Sequence, residues 1–281
     1  MEWLQAHKIP IGDAVKTLVE LLNTHAAWLF NFISLVLGSL ITGLIELLKA
    51  VPPLLLVLLL VAGAYALHRS WKLALLVLAG LLLIINQGYW KETLETLSLV
   101  VFATLVCMAA GVPLGIAAAH RPRLYAALRP ILDLMQTIPT FVYLIPALIL
   151  FGLGVVPGLI ATVIFALPAP VRLTHLGISN VPRALLEAGE SFGASRRQLL
   201  WKVELPHALP TIMAGLTQCI MLSLSMVVIA ALVGADGLGK PVVRALNTVN
   251  IARGFEAGLA IVILAILLDR VCKRPSPGRA G

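Results

Sequence analysis

Eight consecutive residues, Gly234-Ala-Asp-Gly-Leu-Gly239-Lys240-Pro241, come close to spelling a phosphate-binding loop. Such a loop needs a hydroxyl residue directly after the lysine to hold magnesium, and a strand before its glycines. Here the hydroxyl position is Pro241, and an apolar helical stretch precedes the glycines. Gly234, Gly237 and Gly239 therefore read as a tight turn. Other ionisable groups are scattered. Asp133 follows Pro130, and Glu92 and Glu95 open another apolar stretch; each is placed where a helix dipole favours a carboxylate. Asp269 and Arg270 stand at the end of an apolar run. Cys107, Cys219 and Cys272 make no CxxC pair and read as free thiols. No Ser/His/Asp triad, HExxH pair or metal-ligand cluster is present, so the chain reads as non-catalytic, without cofactor or metal of its own.

Composition explains why chemistry is sparse. Of 281 residues, 60% are hydrophobic and 12% charged, and mean hydropathy is +0.99. An all-α integral membrane protein follows, because a spanning helix satisfies its own backbone in lipid. The net charge of +8 is distributed as a topology signal, not as a nucleic-acid surface. The start, MEWLQAHKIP, lacks a basic region followed by an apolar run, so no cleavable signal peptide is expected.

Three regions follow. Residues 1–51 comprise a polar tail, with a short helix expected at 13–26, and an ambiguous apolar segment at 28–49. In that segment Asn31, Ser34, Gly38, Thr42, Glu46 and Lys49 recur every three or four residues, which places them on one helical face. An amphipathic helix in the membrane interface is expected rather than a span. Residues 52–271 hold seven expected spans, near 52–67, 71–87, 92–118, 130–152, 156–178, 208–234 and 255–271. His68, Arg69 and Lys72 mark a tight turn, and Gly88, Tyr89 and Trp90 an interfacial belt. Gly111, Pro113 and Gly115 are expected to loosen the third span. Pro139 and Pro146 should kink or break the fourth. Residues 272–281 form a tail.

Fourteen of the 21 Lys and Arg fall in the loops near 68–72, 119–129 and 172–207 and in the tail from 270. The opposite loops hold Lys91, Lys240, Arg244 and Arg253. That bias places the N-terminus outside and the C-terminus in the cytoplasm of a multi-pass cell-membrane protein.

The polar stretch 187–206 reads EAGESFGASRRQLLWKVELP. Pro182 suits the first position of a helix. Gly193 can take the left-handed conformation that closes it. Ser195 and Gln198 make a capping box for a second helix, which Pro206 is expected to end.

This stretch resembles the cytoplasmic loop of ABC-importer permeases, in which E-A-A is followed at fixed spacing by Gly, Ile and Leu-Pro. Glu187, Ala188, Gly193, Leu205 and Pro206 match; Gly189 replaces the second alanine and Val203 the isoleucine. Longer segments are similar to the permeases of choline and betaine importers: 133–146 (DLMQTIPTFVYLIP), Ile164-Phe-Ala-Leu-Pro168, Arg172-Leu-Thr, Ser191-Phe-Gly-Ala-Ser195 and 224–230 (LSMVVIA). The resemblance covers roughly residues 30–271. It implies a type I ABC-importer permease fold and a permease homodimer. It also implies two cytoplasmic ABC ATPase subunits that bind ATP and Mg, and an external substrate-binding protein. The loop 179–207 would then couple to the ATPase, through Glu187, Ala188, Gly189, Gly193, Ala194, Ser195, Leu205 and Pro206. The family's cargo is quaternary ammonium compounds. Because aromatic faces attract such cations, Phe141, Tyr143, Phe151 and Phe165 are candidates for the translocation path; each is equally a candidate for core or lipid contact. A secondary transporter and a membrane scaffold stay open as other classes.

Overall fold

The computed structural model describes residues 10–273. The first nine residues and the tail from 274 lie outside the described residues. Every regular element among the described residues is helical. In chain order these are α1 (Ile11–Ala50), α2 (Pro53–His68), α3 (Trp71–Asn86), α4 (Trp90–His120), α5 (Pro122–Thr137), α6 (Thr140–Phe151) and α7 (Val155–Ala166). They continue with α8 (Pro168–Ser179), α9 (Arg183–Ser191), α10 (Arg196–Leu199), a π turn (Leu200–Glu204), α11 (Leu205–Leu232), α12 (Gly239–Asn247) and α13 (Ile251–Cys272).

The centre is built from α4, the α7–α8 pair and α11. In lipid there is little hydrophobic drive between helices, so small residues that admit close backbone approach decide who packs with whom. A methyl on Gly111 would stand 2.8 Å from Pro170 Cγ, and one on Gly115 would stand 2.7 Å from the Val171 carbonyl oxygen. These glycines were expected to loosen the span. Instead α4 runs unbroken through Pro113, because glycine here clears a path for α8. Gly158 meets Ala230 in the same manner, and Gly177 meets Ala208.

Among the described residues, length and hydropathy make five helices candidates for spans, α1 among them, or six if the α5–α6 pair counts as one. The helices α2 and α3 are apolar but only 16 residues each, about 24 Å at 1.5 Å per residue. Arg69, at φ 50°, turns the chain between them, and Ser70 Oγ accepts from the Leu73 amide at 3.4 Å. Of the two prolines expected to kink or break the fourth span, Pro139 stands at a break, where α5 and α6 meet at 94°; Pro146 lies inside α6, which continues through it. Ile138 is extended before Pro139, as the residue before a proline prefers. The helix begins at Pro122, however, not at Pro130, which lies inside α5. Asp133 is therefore mid-helix rather than in a first turn.

Two ends can be distinguished. At one, the Gly154 amide donates to Val233 O at 2.9 Å and the Leu238 amide donates to Thr96 Oγ1 at 2.8 Å. The other carries Arg69, Arg121, Arg123 and the α9–α10 loop. There His120 Nε2 lies 2.9 Å from Glu204 Oε2, and His68 Nε2 lies 2.8 Å from Val271 O.

The first helix, α1, is long and apolar enough to span, yet its anchors all lie at the less basic end. Phe30 packs edge-on against Phe151, with ring centroids 5.4 Å apart. Ser34 Oγ donates to Phe151 O at 3.5 Å, Gly38 faces Val156, and Lys49 Nζ lies 3.2 Å from Glu95 Oε1. Residues 30–49 cover about 28 Å of helix, and these contacts with α4, α6 and α7 all fall at that end. From the polar set read in the sequence, Ser34 and Gly38 face the protein; Phe32, Leu35, Leu40 and Leu47 stand exposed. The 13–26 segment is helical and joins this stretch through a non-helical Ala26 (φ −120°, ψ 16°).

Candidate functional site

The α9–α10 loop is positioned by local hydrogen bonding more than by burial. The first helix starts at Arg183, with Pro182 as its extended cap rather than its first residue. At its other end the Gly193 amide donates to Glu190 O at 2.8 Å, and the Ala194 amide donates to Gly189 O at 3.0 Å. With Gly193 at φ 78°, this is a complete Schellman closure. The next residue opens α10. The Ser195 amide donates to Gln198 Oε1 at 2.8 Å, and the Gln198 amide donates to Ser195 Oγ at 3.4 Å. Helix closure and capping box share a joint of three residues, so the corner has little freedom.

Gly189, the departure from the family pattern, has a packing reason. A methyl there would lie 2.5 Å from Leu199 Cδ2, so the buried Leu199 fills the space that an alanine would take, drawing α10 onto α9. Glu187, Ala188, Gly193 and Ser195 remain exposed, and Ala194 is half-buried.

Pro206 does not end the second helix. Helical backbone continues from Arg196 into α11 through the π turn, in which the Leu205 amide reaches back to Leu200 O. A proline normally clashes with the carbonyl four residues earlier. The wider π turn shifts the hydrogen-bond register just before the ring and makes room for it. Leu205 packs on Ile178, Ala208 and Ile212 at the base of the spans, while Pro206 is exposed. Glu204, in the same turn, is buried against His120.

The four aromatic candidates do not converge. Tyr143 and Phe165 pack on one cluster with Leu144, Met226 and Val233, and the Tyr143 hydroxyl is buried without a partner. Phe151 is turned toward Phe30 on α1, and Phe141 is exposed. No single cage contains all four.

Several functional-looking contacts escaped sequence reasoning. Arg172 Nη2 lies 2.5 Å from Asp133 Oδ1 and its Nη1 donates to Gln136 Oε1 at 2.9 Å; a partner 39 residues away leaves no local signal. Glu95 is likewise held by Lys49 and not by a helix dipole alone. The exposure of Phe192 and Trp201 was hidden among ordinary loop residues. The first half of the near P-loop is a turn between α11 and α12, while Gly239, expected in that turn, opens α12; Lys240 pairs with Asp236, and Gly237 lies against Thr96. Among the described residues no group of three His, Cys, Asp or Glu could hold a metal, and all three cysteines are free.

Comparison with known proteins accords with this architecture. Residues 111–274 match the family model for the binding-protein-dependent transport system inner membrane component. The chain is 46% identical over 266 residues to the glycine betaine/carnitine transport permease protein GbuB of Listeria monocytogenes, covering 94% of both chains. It is 44% identical to the glycine betaine transport system permease protein OpuAB of Bacillus subtilis, covering 97% of this chain and 98% of that one. It is 43% identical to the glycine betaine/proline betaine permease ProW of Escherichia coli, covering 94% of this chain and 74% of that one. Among solved structures, one chain of the inward-facing MetNI methionine ABC transporter aligns with a TM-score of 0.57 at 23% identity, covering 64% of this chain and 94% of that one. That likeness concerns the fold. A secondary transporter and a scaffold are set aside, and the chain belongs to the binding-protein-dependent inner-membrane component family, as the non-catalytic permease subunit of an ABC importer.

Proposed function

We infer that this permease carries a small quaternary ammonium solute, glycine betaine or a close relative such as choline, carnitine or proline betaine. The observation that supports the cargo class is 43–46% identity across almost the whole chain to permeases whose names specify glycine betaine. The subunit works as a homodimer with two cytoplasmic ATPase subunits, which bind ATP and Mg, and with an external binding protein. Seven spans run from α2 to α13, with the N-terminus outside and the C-terminus in the cytoplasm. α1 lies in the outer membrane interface, since its anchors gather at the less basic end. Residues 1–51, 52–271 and 272–281 are then the tail with interfacial helix, the permease domain and the cytoplasmic tail. The loop 179–207 couples to the ATPase through Glu187, Ala188, Gly189, Gly193, Ala194, Ser195, Leu205 and Pro206. Its rigidity supports this role, because a lever must not bend at its joint. Tyr143 and Phe165 are the favoured path aromatics, being the two that share a cluster.

Uptake of labelled glycine betaine, choline, carnitine and proline betaine by cells expressing the whole transporter tests the cargo. Saturable, ATP-dependent uptake of at least one is expected. Uptake of none of them, with the complex assembled, would overturn the cargo class.

A further inference from the structure

Phe192 is 93% exposed, among the most exposed large apolar side chains described. It stands at the corner between α9 and α10, and its position is fixed from both sides. Its own amide donates to Ala188 O at 3.2 Å, and the amides of Gly193 and Ala194 close onto Glu190 O and Gly189 O. A benzyl group held in water on a rigid corner is unfavourable alone and favourable for association, since little order remains to be imposed on binding. Next to the corner the charges are sorted. Glu187 and Glu190 lie on the nearer half of α9, whose one basic residue, Arg183, stands at its far end, while Arg196, Arg197 and Lys202 lie on α10 and the π turn. Trp201 and Lys202 border an open cleft with Ser195, Arg197 and Gln198 on the same second arm.

We propose that Phe192 is the anchor by which this loop seats in the ATPase subunit. Its ring enters an apolar socket whose margin is acidic where it faces α10 and basic where it faces α9. The proposal rests on the coupling reading of residues 179–207. A lipid surface is disfavoured by this arrangement, because a single phenyl ring is flanked by five charged residues of both signs.

The test uses the full permease co-expressed with its ATPase subunit. A photo-crosslinking p-benzoylphenylalanine is placed at 192, and separately at 187 and 190. Crosslinking to the ATPase from 192 is the expected result. Crosslinking from 187 or 190 but not from 192 overturns the anchor while leaving the coupling reading intact. Crosslinking from none of the three overturns both. Adducts of 192 to lipid alone, or to a second permease, also overturn the proposal. In parallel, Phe192→Ala should lower ATPase retention on the tagged permease about tenfold, and Phe192→Leu should restore most of it. Permease yield and monodispersity should stay unchanged for both. Wild-type retention and uptake by Phe192→Ala would overturn the anchor role.

Discussion

Arg172 on α8 and Asp133 on α5 meet at 2.5 Å, one turn before the 94° break that separates α5 from α6. The same guanidinium binds Gln136, so one side chain spans a full turn of α5 and fixes its distance from the packed centre. The pair is partly solvated, with side chains 35% and 54% exposed, which limits its Coulomb contribution to about 1 kcal/mol or less. Its effect should therefore appear in geometry more than in stability. Asp133→Ala is expected to reduce uptake severalfold while shifting the melting temperature in detergent by only a few degrees. The exchange Asp133→Arg with Arg172→Asp should recover part of the lost uptake. No recovery in the exchanged protein would argue that the residues act separately.

His120 and Glu204 form a second tie, between the end of α4 and the π turn. His120 Nδ1 faces the Ile116 carbonyl at 2.9 Å, while Nε2 faces the carboxylate. Glu204 is buried, so removing its partner leaves a buried carboxyl group unpaired. Breaking a fully buried pair costs about 3–5 kcal/mol. Because the His120 side chain is 47% exposed, water recovers part of this, and roughly 1–2 kcal/mol is expected for His120→Ala. Glu204→Gln on the His120→Ala background should restore stability. Thermal unfolding of the purified variants reads this directly, and additive losses in the double variant would contradict it.

At Gly115 the neighbour is backbone, which cannot swing aside. A methyl would fall 2.6 Å from Thr174 Cβ and 2.7 Å from Val171 O. Gly115→Ala is expected to cost about 1–3 kcal/mol through forced separation of α4 and α8. Gly43, with nothing within 4 Å of its virtual methyl, is the matched control. Equal thermal stability of Gly115→Ala and Gly43→Ala would show that the close approach of α4 and α8 is not a stability determinant.

The helical class, the apolar helices at the centre and the break at Pro139 were legible because each depends on local composition or on a missing amide. The corner at Gly193 and Ser195 was legible for the same reason, since a Schellman closure and a capping box are written within a few residues. What escaped was long-range. Asp133 carried no mark of Arg172, nor Glu95 of Lys49. Pro206 misled because a proline reads as a stop unless a π turn precedes it, and that turn has no simple residue signature. The glycines of α4 were read as conformational weakness when their role was to admit a neighbour, which only packing reveals. The four aromatics share a chemistry but not a location, and nothing in their spacing indicated that Phe151 faces α1.

Gly189 and Gly193 differ in physical role, and the difference predicts opposite rescue behaviour. Gly193 sits at φ 78° with nothing within 4 Å of its virtual methyl. A bulky residue there meets backbone strain and no clash, at about 1–2 kcal/mol. Gly193→Asn should therefore be tolerated better than Gly193→Val, since Asn enters the left-handed region more readily. Gly189 is in ordinary helix, and its obstacle is the end of a flexible side chain, Leu199 Cδ2 at 2.5 Å. Gly189→Ala should disturb the contact of α9 with α10 only while Leu199 is full length. Shortening Leu199 to Val should relieve Gly189→Ala and do nothing for Gly193→Val. Neither position touches a span, so membrane abundance should hold in every variant and the readouts are uptake and ATPase retention. A Leu199→Val change that rescued Gly193→Val, or failed to rescue an impaired Gly189→Ala, would show that the two glycines do not hold the corner in the way their geometry implies.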